Sequence, residues 1–200
     1  MLREALYENA DFREAEFQEN ALRGIVFRRC SFREADFSGM GLSNCRFEDC
    51  DFTSAAFHGV TAERCAFLNC RFLYANCFGT AFEDCKMTGT TFEDCDCTAL
   101  RIRAGDWSYT LVQELDLHSV HLTDVNFEQA DLYRGNFDKA VLTRCNFRGA
   151  NLTGASFCGA DLRSSCIAET NLLEIDLRGA KIDLEQAVLL AGALGAVYEP

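Results

Sequence analysis

Proline is almost missing from this 200-residue chain, and the single one is Pro200. No proline therefore interrupts backbone pairing anywhere before it. Long apolar runs are missing too, and without a stretch of ~18 to 20 such residues no helical membrane span is expected. The start, MLREALYENADF, is acidic and lacks the pattern of a signal peptide, so a cytoplasmic protein with reduced thiols is expected. Basic residues are scarce, 19 against 31 acidic ones, for a net charge of −12. That balance argues against direct binding of nucleic acid or an anionic membrane, which need Lys and Arg against phosphate. It suits a basic partner. The three histidines, His58, His118 and His121, share no ligand spacing with cysteine, so no metal site is expected. There is no phosphate loop, Walker motif or nucleophile elbow, and neither a cofactor, a small-molecule substrate nor an enzymatic activity is expected.

What the chain has is a period of five. From Ala140 to Leu162 a large apolar residue (Leu142, Phe147, Leu152, Phe157, Leu162) recurs at every fifth position, with a small residue two places before each. Neither a 3.6-residue helix nor a two-residue strand repeat fits that spacing. Stepping by five from Tyr7 to Ile182 meets no charged residue at the central position, and none two places before it. No insertion is needed, and of 17 phenylalanines only Phe78 falls out of register. Self-similarity at a fixed period marks a repeat architecture. One large and one small inward residue per repeat suits a narrow coil whose interior has no room for two large side chains. Gly two places after the centre suits a corner of positive φ. Asp or Asn just before the centre suits a turn in which the side chain bonds nearby backbone.

This A-(D/N)-(L/F)-x-G pattern resembles the pentapeptide-repeat family over roughly residues 5 to 182. The resemblance implies an all-β solenoid: a right-handed quadrilateral β-helix with four pentapeptides per coil, followed by a short C-terminal α-helix. Residues 1–182 are read as that β-helix, in one uninterrupted register that weakens around 98–114. There the small position holds Leu100, Gly105 and Thr110, a local distortion or an inserted loop. Ala62 is a small centre that underfills its layer. Residues 183–200 are read as a capping and dimerisation helix plus tail: Asp183 is an N-cap, Leu184, Val188, Ala191 and Leu194 recur at helical spacing, and Gly195 is a stop. With Leu189, Val197 and Tyr198, these apolar residues exceed what covering a solenoid end requires. They predict a homodimer formed through the C-terminal end.

The 12 cysteines lose their metal or redox look once placed on the repeat. Cys30, Cys50 and Cys70 stack on one face and Cys45, Cys65 and Cys85 on another, as packed small hydrophobes. Cys158 and Cys166 fall outside the inward positions and are the better candidates for reactivity.

Twenty-residue coils also sort the outward charges. The faces centred on Phe12, Phe32, Phe52 and so on, and on Phe17, Phe37, Phe57 and so on, each sum to −5, whereas the other two sum to −1 and +1. Acidity thus gathers on two adjacent sides, in a charge pattern resembling duplex DNA. The ending DLRGAKIDLEQAVLLAGALGAVYEP is similar to the C-termini of the quinolone-resistance branch of the family, the Qnr and MfpA type. That resemblance implies a dimeric DNA mimic that binds DNA gyrase and topoisomerase IV and protects them from poisons. The residues expected to meet the partner are Glu93, Asp94, Asp96, Glu114, Asp116, Asp131 and Asp138. A generic protein-interaction scaffold with an unrelated partner is the alternative.

Overall fold

The structure, a computed structural model, describes residues 5–17 and 19–197. The chain divides into two compact units, Met1–Leu111 and Val112–Pro200. Both are built on one rule: each residue pairs in parallel with the residue 20 positions on.

In the first unit the strands are short, because each pentapeptide supplies only three extended residues before the chain must turn. One face is the sheet of β1 (Leu6–Glu8), β3 (Val26–Arg28), β5 (Arg46–Glu48) and β7 (Ala66–Leu68). The next is the sheet of β2 (Ala21–Arg23), β4 (Gly41–Ser43), β6 (Thr61–Glu63), β8 (Ala81–Glu83) and β9 (Arg101–Arg103). Their Cα registers put Phe27 beside Phe47 and then Phe67, and Leu42 beside Ala62 and then Phe82. The other two faces are ladders of single bridges, Asp11–Ser31–Asp51–Arg71–Thr91–Leu111 and Glu16–Asp36–Ala56–Asn76–Asp96. Within this unit the outward residues therefore lie on the faces that 20-residue coils predict.

The inward residues form columns of rings. Phe12, Phe32, Phe52, Phe72 and Phe92 stack successively with centroids 4.6 to 5.1 Å apart. Phe27, Phe47 and Phe67 make a second column at 5.0 and 4.8 Å. Rings this close follow from coils at about the 4.8 Å strand spacing. Each fully buried phenylalanine removes apolar surface worth roughly 2 to 3 kcal/mol from water, and ring pairing adds about 0.5 to 1.5 kcal/mol. The stretch around 98–114 contains no inserted loop: β9 pairs with β8 in register, and β10 (Gly105–Asp106) follows at once. Trp107 is fully buried, stacked on Phe92 at 5.9 Å and edge-on to Phe82 at 5.5 Å, so a large ring fills the layer that the turn residues seemed to desert. Gly105 is what admits this path. Its φ is +103°, and a Cβ there would sit 2.3 Å from the Cys85 carbonyl oxygen.

In the second unit β11 (His121–Thr123) pairs with β13 (Val141–Thr143), and β12 (Val125–Asn126) lies on the adjacent face. Bridges such as Asp131–Asn151, Asn136–Ser156 and Asp161–Lys181 complete the coils. Aliphatic and aromatic columns alternate around each coil here: Leu132, Leu142, Leu152 and Leu162 are buried with Phe127, Phe137, Phe147 and Phe157, and Phe127 stacks on Phe147 and Phe137 on Phe157.

In most pentapeptides the corner residue two after the centre adopts positive φ whether or not it is glycine. Asn9, Arg29, Asp84, Asp94, Ala99 and Lys139 all lie between 49° and 57°. The reason is the ladder: the corner N–H donates to a carbonyl of the following coil, as from Asp84 to Arg103 at 2.8 Å and from Lys139 to Cys158 at 2.9 Å. That bond holds L-residues in a region they ordinarily avoid.

The unit ends in a 3-10 turn (Leu172–Glu174) and then helix α1 (Leu184–Ala193). Asp183 caps α1 in a capping box with Gln186. Gly195, at φ +86°, follows its last turn, and the bonds from Gly195 N–H to Gly192 and from Ala196 N–H to Ala191 close a Schellman motif. No helix among the described residues is long and apolar enough to cross a membrane.

Candidate protein-interaction surface

The seven carboxylates expected to meet a partner fall into two groups with different surroundings. Glu93, Asp94 and Asp96 follow one another in the first unit, all exposed. Asp94 occupies a positive-φ corner at 49°, and the Asp96 Oδ1 accepts only the local Thr98 N–H at 3.0 Å. The Thr98 side chain, and then that N–H, lower the Asp96 carboxyl below its ordinary range. Among the described residues no Lys or Arg pairs with any of the three. The face that bears Asp96 also carries Glu16, Glu19 and Asp36 in this unit, and no Lys or Arg. Uncompensated carboxylates on a solvated face project a field that attracts basic surfaces.

In the second unit the predicted residues are largely occupied. Glu114 lies 3.8 Å from the Arg134 guanidinium. Asp116 accepts from Asn136 Nδ2 at 2.9 Å. Asp131, half-buried, accepts from Tyr133 N, Gln113 Nε2 and Asn151 Nδ2 at 3.1, 2.7 and 2.9 Å. Asp138, also half-buried, accepts from Ser156 Oγ and, at 2.9 Å, from Cys158 N. Apart from Tyr133, two residues on, these partners stand 18 or 20 positions away, one coil over, so Asp131 and Asp138 help to hold coils together.

The predicted dimerisation residues divide similarly. Leu184, Leu194 and Val197 are 74 %, 76 % and 84 % exposed, while Val188, Leu189 and Ala191 are half-buried. Tyr198 lies outside the described residues. The buried residue of α1 is polar: Gln186 donates from Nε2 to the Leu162 and Ser165 carbonyls, both at 2.6 Å, and accepts from Asp183 N at 3.0 Å. It thereby gives the Ser165 carbonyl a donor and the Leu162 carbonyl a second one beside the Ser165 N–H at 3.0 Å. Helical apolar spacing could not point to it. The capping-box spacing of Asp183 and Gln186 was the available signal.

The cysteines are free thiols. Burial pushes Cys30 and Cys70 up, and Cys145 to about 11, so these are packed neutral groups. Cys166 is exposed and Cys158 half-buried, as their off-core positions predict. Among the described residues no His, Cys, Asp and Glu cluster could hold a metal. The His58 Nδ1 lies 3.2 Å from Ser38 Oγ on the surface.

Sequence comparison agrees with this architecture. The pentapeptide repeat region profile matches residues 1–77, and the profile of eight-copy pentapeptide repeats matches 113–149 and 140–179. The chain belongs to the pentapeptide-repeat family. Among curated proteins nothing matches. Among solved structures, a trypsin-treated form of QnrB1, a plasmid-mediated fluoroquinolone resistance protein, superposes with a TM-score of 0.79 at 23% identity, covering 96% of this chain and 97% of that one. Full-length QnrB1 gives 0.56 at 20%, covering 95% and 99%. HetL, a pentapeptide repeat protein involved in heterocyst differentiation regulation in the cyanobacterium Nostoc sp. strain PCC 7120, gives 0.56 at 16%, covering 88% of each chain. At these identities the likeness is one of fold.

Proposed function

We propose that this chain is a non-catalytic, cytoplasmic DNA mimic that binds DNA gyrase, and topoisomerase IV, and shields them from quinolones or a natural topoisomerase poison. The observation that carries the reading is the face of the first unit on which Glu16, Glu19, Asp36 and Asp96 stand with no Lys or Arg between them. Carboxylates along one face, with Ala56 and Asn76 between Asp36 and Asp96, offer a DNA-binding surface the charge it ordinarily finds on phosphates. The fold likeness to a fluoroquinolone resistance protein over nearly the whole chain supports the choice of partner. The exposed leucines of α1 support a homodimer formed through the C-terminal end. The second reading, a scaffold for an unrelated partner, is favoured by the fold likeness to HetL, a pentapeptide repeat protein of heterocyst differentiation regulation.

The test is a gyrase supercoiling and cleavage assay with and without a quinolone. Protection appears as less drug-induced linear DNA at constant drug, and Asp96→Lys with Asp116→Lys weakens it in a protein that still folds. If the purified chain neither binds gyrase nor alters either reaction, the scaffold reading takes its place.

A further inference from the structure

The out-of-register phenylalanine marks a feature that acidity does not explain. Phe78 is 51 % exposed, and Tyr74 in the same coil is 61 % exposed, on a molecule whose other phenylalanines point inward. They are four positions apart, at most about 13 Å of extended chain. The next coil brings acid directly alongside: the Tyr74 N–H donates to the Glu93 carbonyl at 3.0 Å, and Asn76 bridges Asp96. The aromatic pair thus borders three carboxylates that make no ion pair among the described residues, with Arg71 of the same coil bridged to Thr91.

We propose that Tyr74 and Phe78, bordered by Glu93, Asp94 and Asp96, form an apolar anchor that seats in a recess ringed by Lys or Arg on the topoisomerase. The inference rests on the topoisomerase reading above and adds to it what charge alone cannot supply. Duplex DNA presents phosphates at its surface but no exposed aromatic side chain, so an anchor of this kind separates one basic protein from the many that bind polyanions. Buried aromatic residues surrounded by polar contacts are the usual carriers of interface affinity. The anchor is rigid before binding. Tyr74 is held at φ 56°, Phe78 N–H donates to Asn76 Oδ1 at 3.1 Å, and the Phe78 carbonyl accepts from Gly59 N at 2.8 Å. Little backbone freedom remains to be lost on docking. Charge complementarity selects the partner's rim: three carboxylates without a Lys or Arg of their own call for cations from outside.

Salt separates the two contributions, because ion pairs are screened while apolar burial is not. The affinity of purified gyrase for the full chain would be measured across a salt series for the wild type, Tyr74→Ser/Phe78→Ser, Tyr74→Phe/Phe78→Leu and Glu93→Gln/Asp96→Asn. The anchor predicts that the serine pair weakens binding about 30-fold at every salt with the slope unchanged, in the range of lost hot-spot contacts. The apolar pair stays near wild type, and the amide pair lowers the slope. Trp107 fluorescence confirms folding of each variant. A serine pair that binds within about twofold of wild type, or whose loss comes with a changed slope, overturns the anchor and leaves the topoisomerase reading standing. Absence of binding by the wild type overturns both.

Discussion

The two units share a backbone, and two stretches within them use their carboxylates differently. In Met1–Leu111 several acids pair with Arg, as Asp11 does with Arg13 and Glu83 with Arg103. Among the described residues, however, Glu93, Asp94 and Asp96 have no Lys or Arg partner, and the face of Asp96 carries no Lys or Arg. In Val112–Pro200 the same positions of the repeat hold acids that are bonded: Asp131 takes three donors, Asp138 two, and Asp161 and Asp176 are each paired with the Arg two residues on. Cores differ in parallel, with phenylalanine columns in the first and alternating leucine and phenylalanine in the second. A repeat whose inward residues hold the fold leaves its outward residues free to vary. Around Glu93, Asp94 and Asp96 they leave a field, whereas at Asp131 and Asp138 they bind one coil to the next.

The sharpest way to break the comparison is through the cores. Phe52→Ala removes a ring stacked on both sides, at 5.0 Å on Phe32 and 4.6 Å on Phe72, and should cost about 3 to 5 kcal/mol of stability. Followed by Trp107 fluorescence in urea, a loss under about 1 kcal/mol would mean that the column is not what holds the first unit. At the far end of the second unit, Gln186→Leu removes the side-chain donor to the Ser165 carbonyl and the second donor to Leu162, which keeps the Ser165 N–H, and should cost about 2 kcal/mol. Unchanged amide exchange at the coils below α1 would show that the glutamine is not a cap.

Acid should act more gently. Hydrogen bonding to Arg163 lowers the Asp161 carboxyl to about 2, and the Ser164 and Gln186 N–H groups lower Asp183. A depressed folded value means the stabilisation is complete above the unfolded carboxylate range near 4 and is lost as pH falls through the folded value. The denaturation midpoint should therefore drop between about pH 4 and 2, and Asp161→Asn should flatten that drop. An unaltered profile in the variant would remove Asp161 from the account. The smallest effect is expected at the corners. Ala99, at φ 57°, should tolerate glycine with a gain of up to about 1 kcal/mol, whereas Gly105→Ala drives a Cβ into Cys85 and should destabilise.

Much of this was legible before any coordinates. The five-residue period places Phe27, Phe47 and Phe67 in one column because every coil repeats after 20 residues, and it explains why Cys30, Cys50 and Cys70 are packed rather than reactive. It also kept 98–114 in frame, although it could not show that Trp107 fills that layer. The carboxylate roles were not legible, since an Asp reads alike whether its oxygens face water or a donor one coil away. Asp131 and Asp138 needed the positions of Asn151 and Ser156. Gln186 was hidden because a polar residue in a helix reads as solvated. Phe78 announced itself by breaking the register, but its meaning depended on Tyr74 and Asp96 lying beside it.

The most direct test of the central claim is drug-induced DNA cleavage by purified gyrase, titrated with this chain at a fixed quinolone concentration. The account predicts that linear DNA falls as the chain is added, and that Asp96→Lys restores cleavage while Asp161→Asn does not. Cleavage that stays constant up to saturating amounts of folded wild-type chain would contradict it.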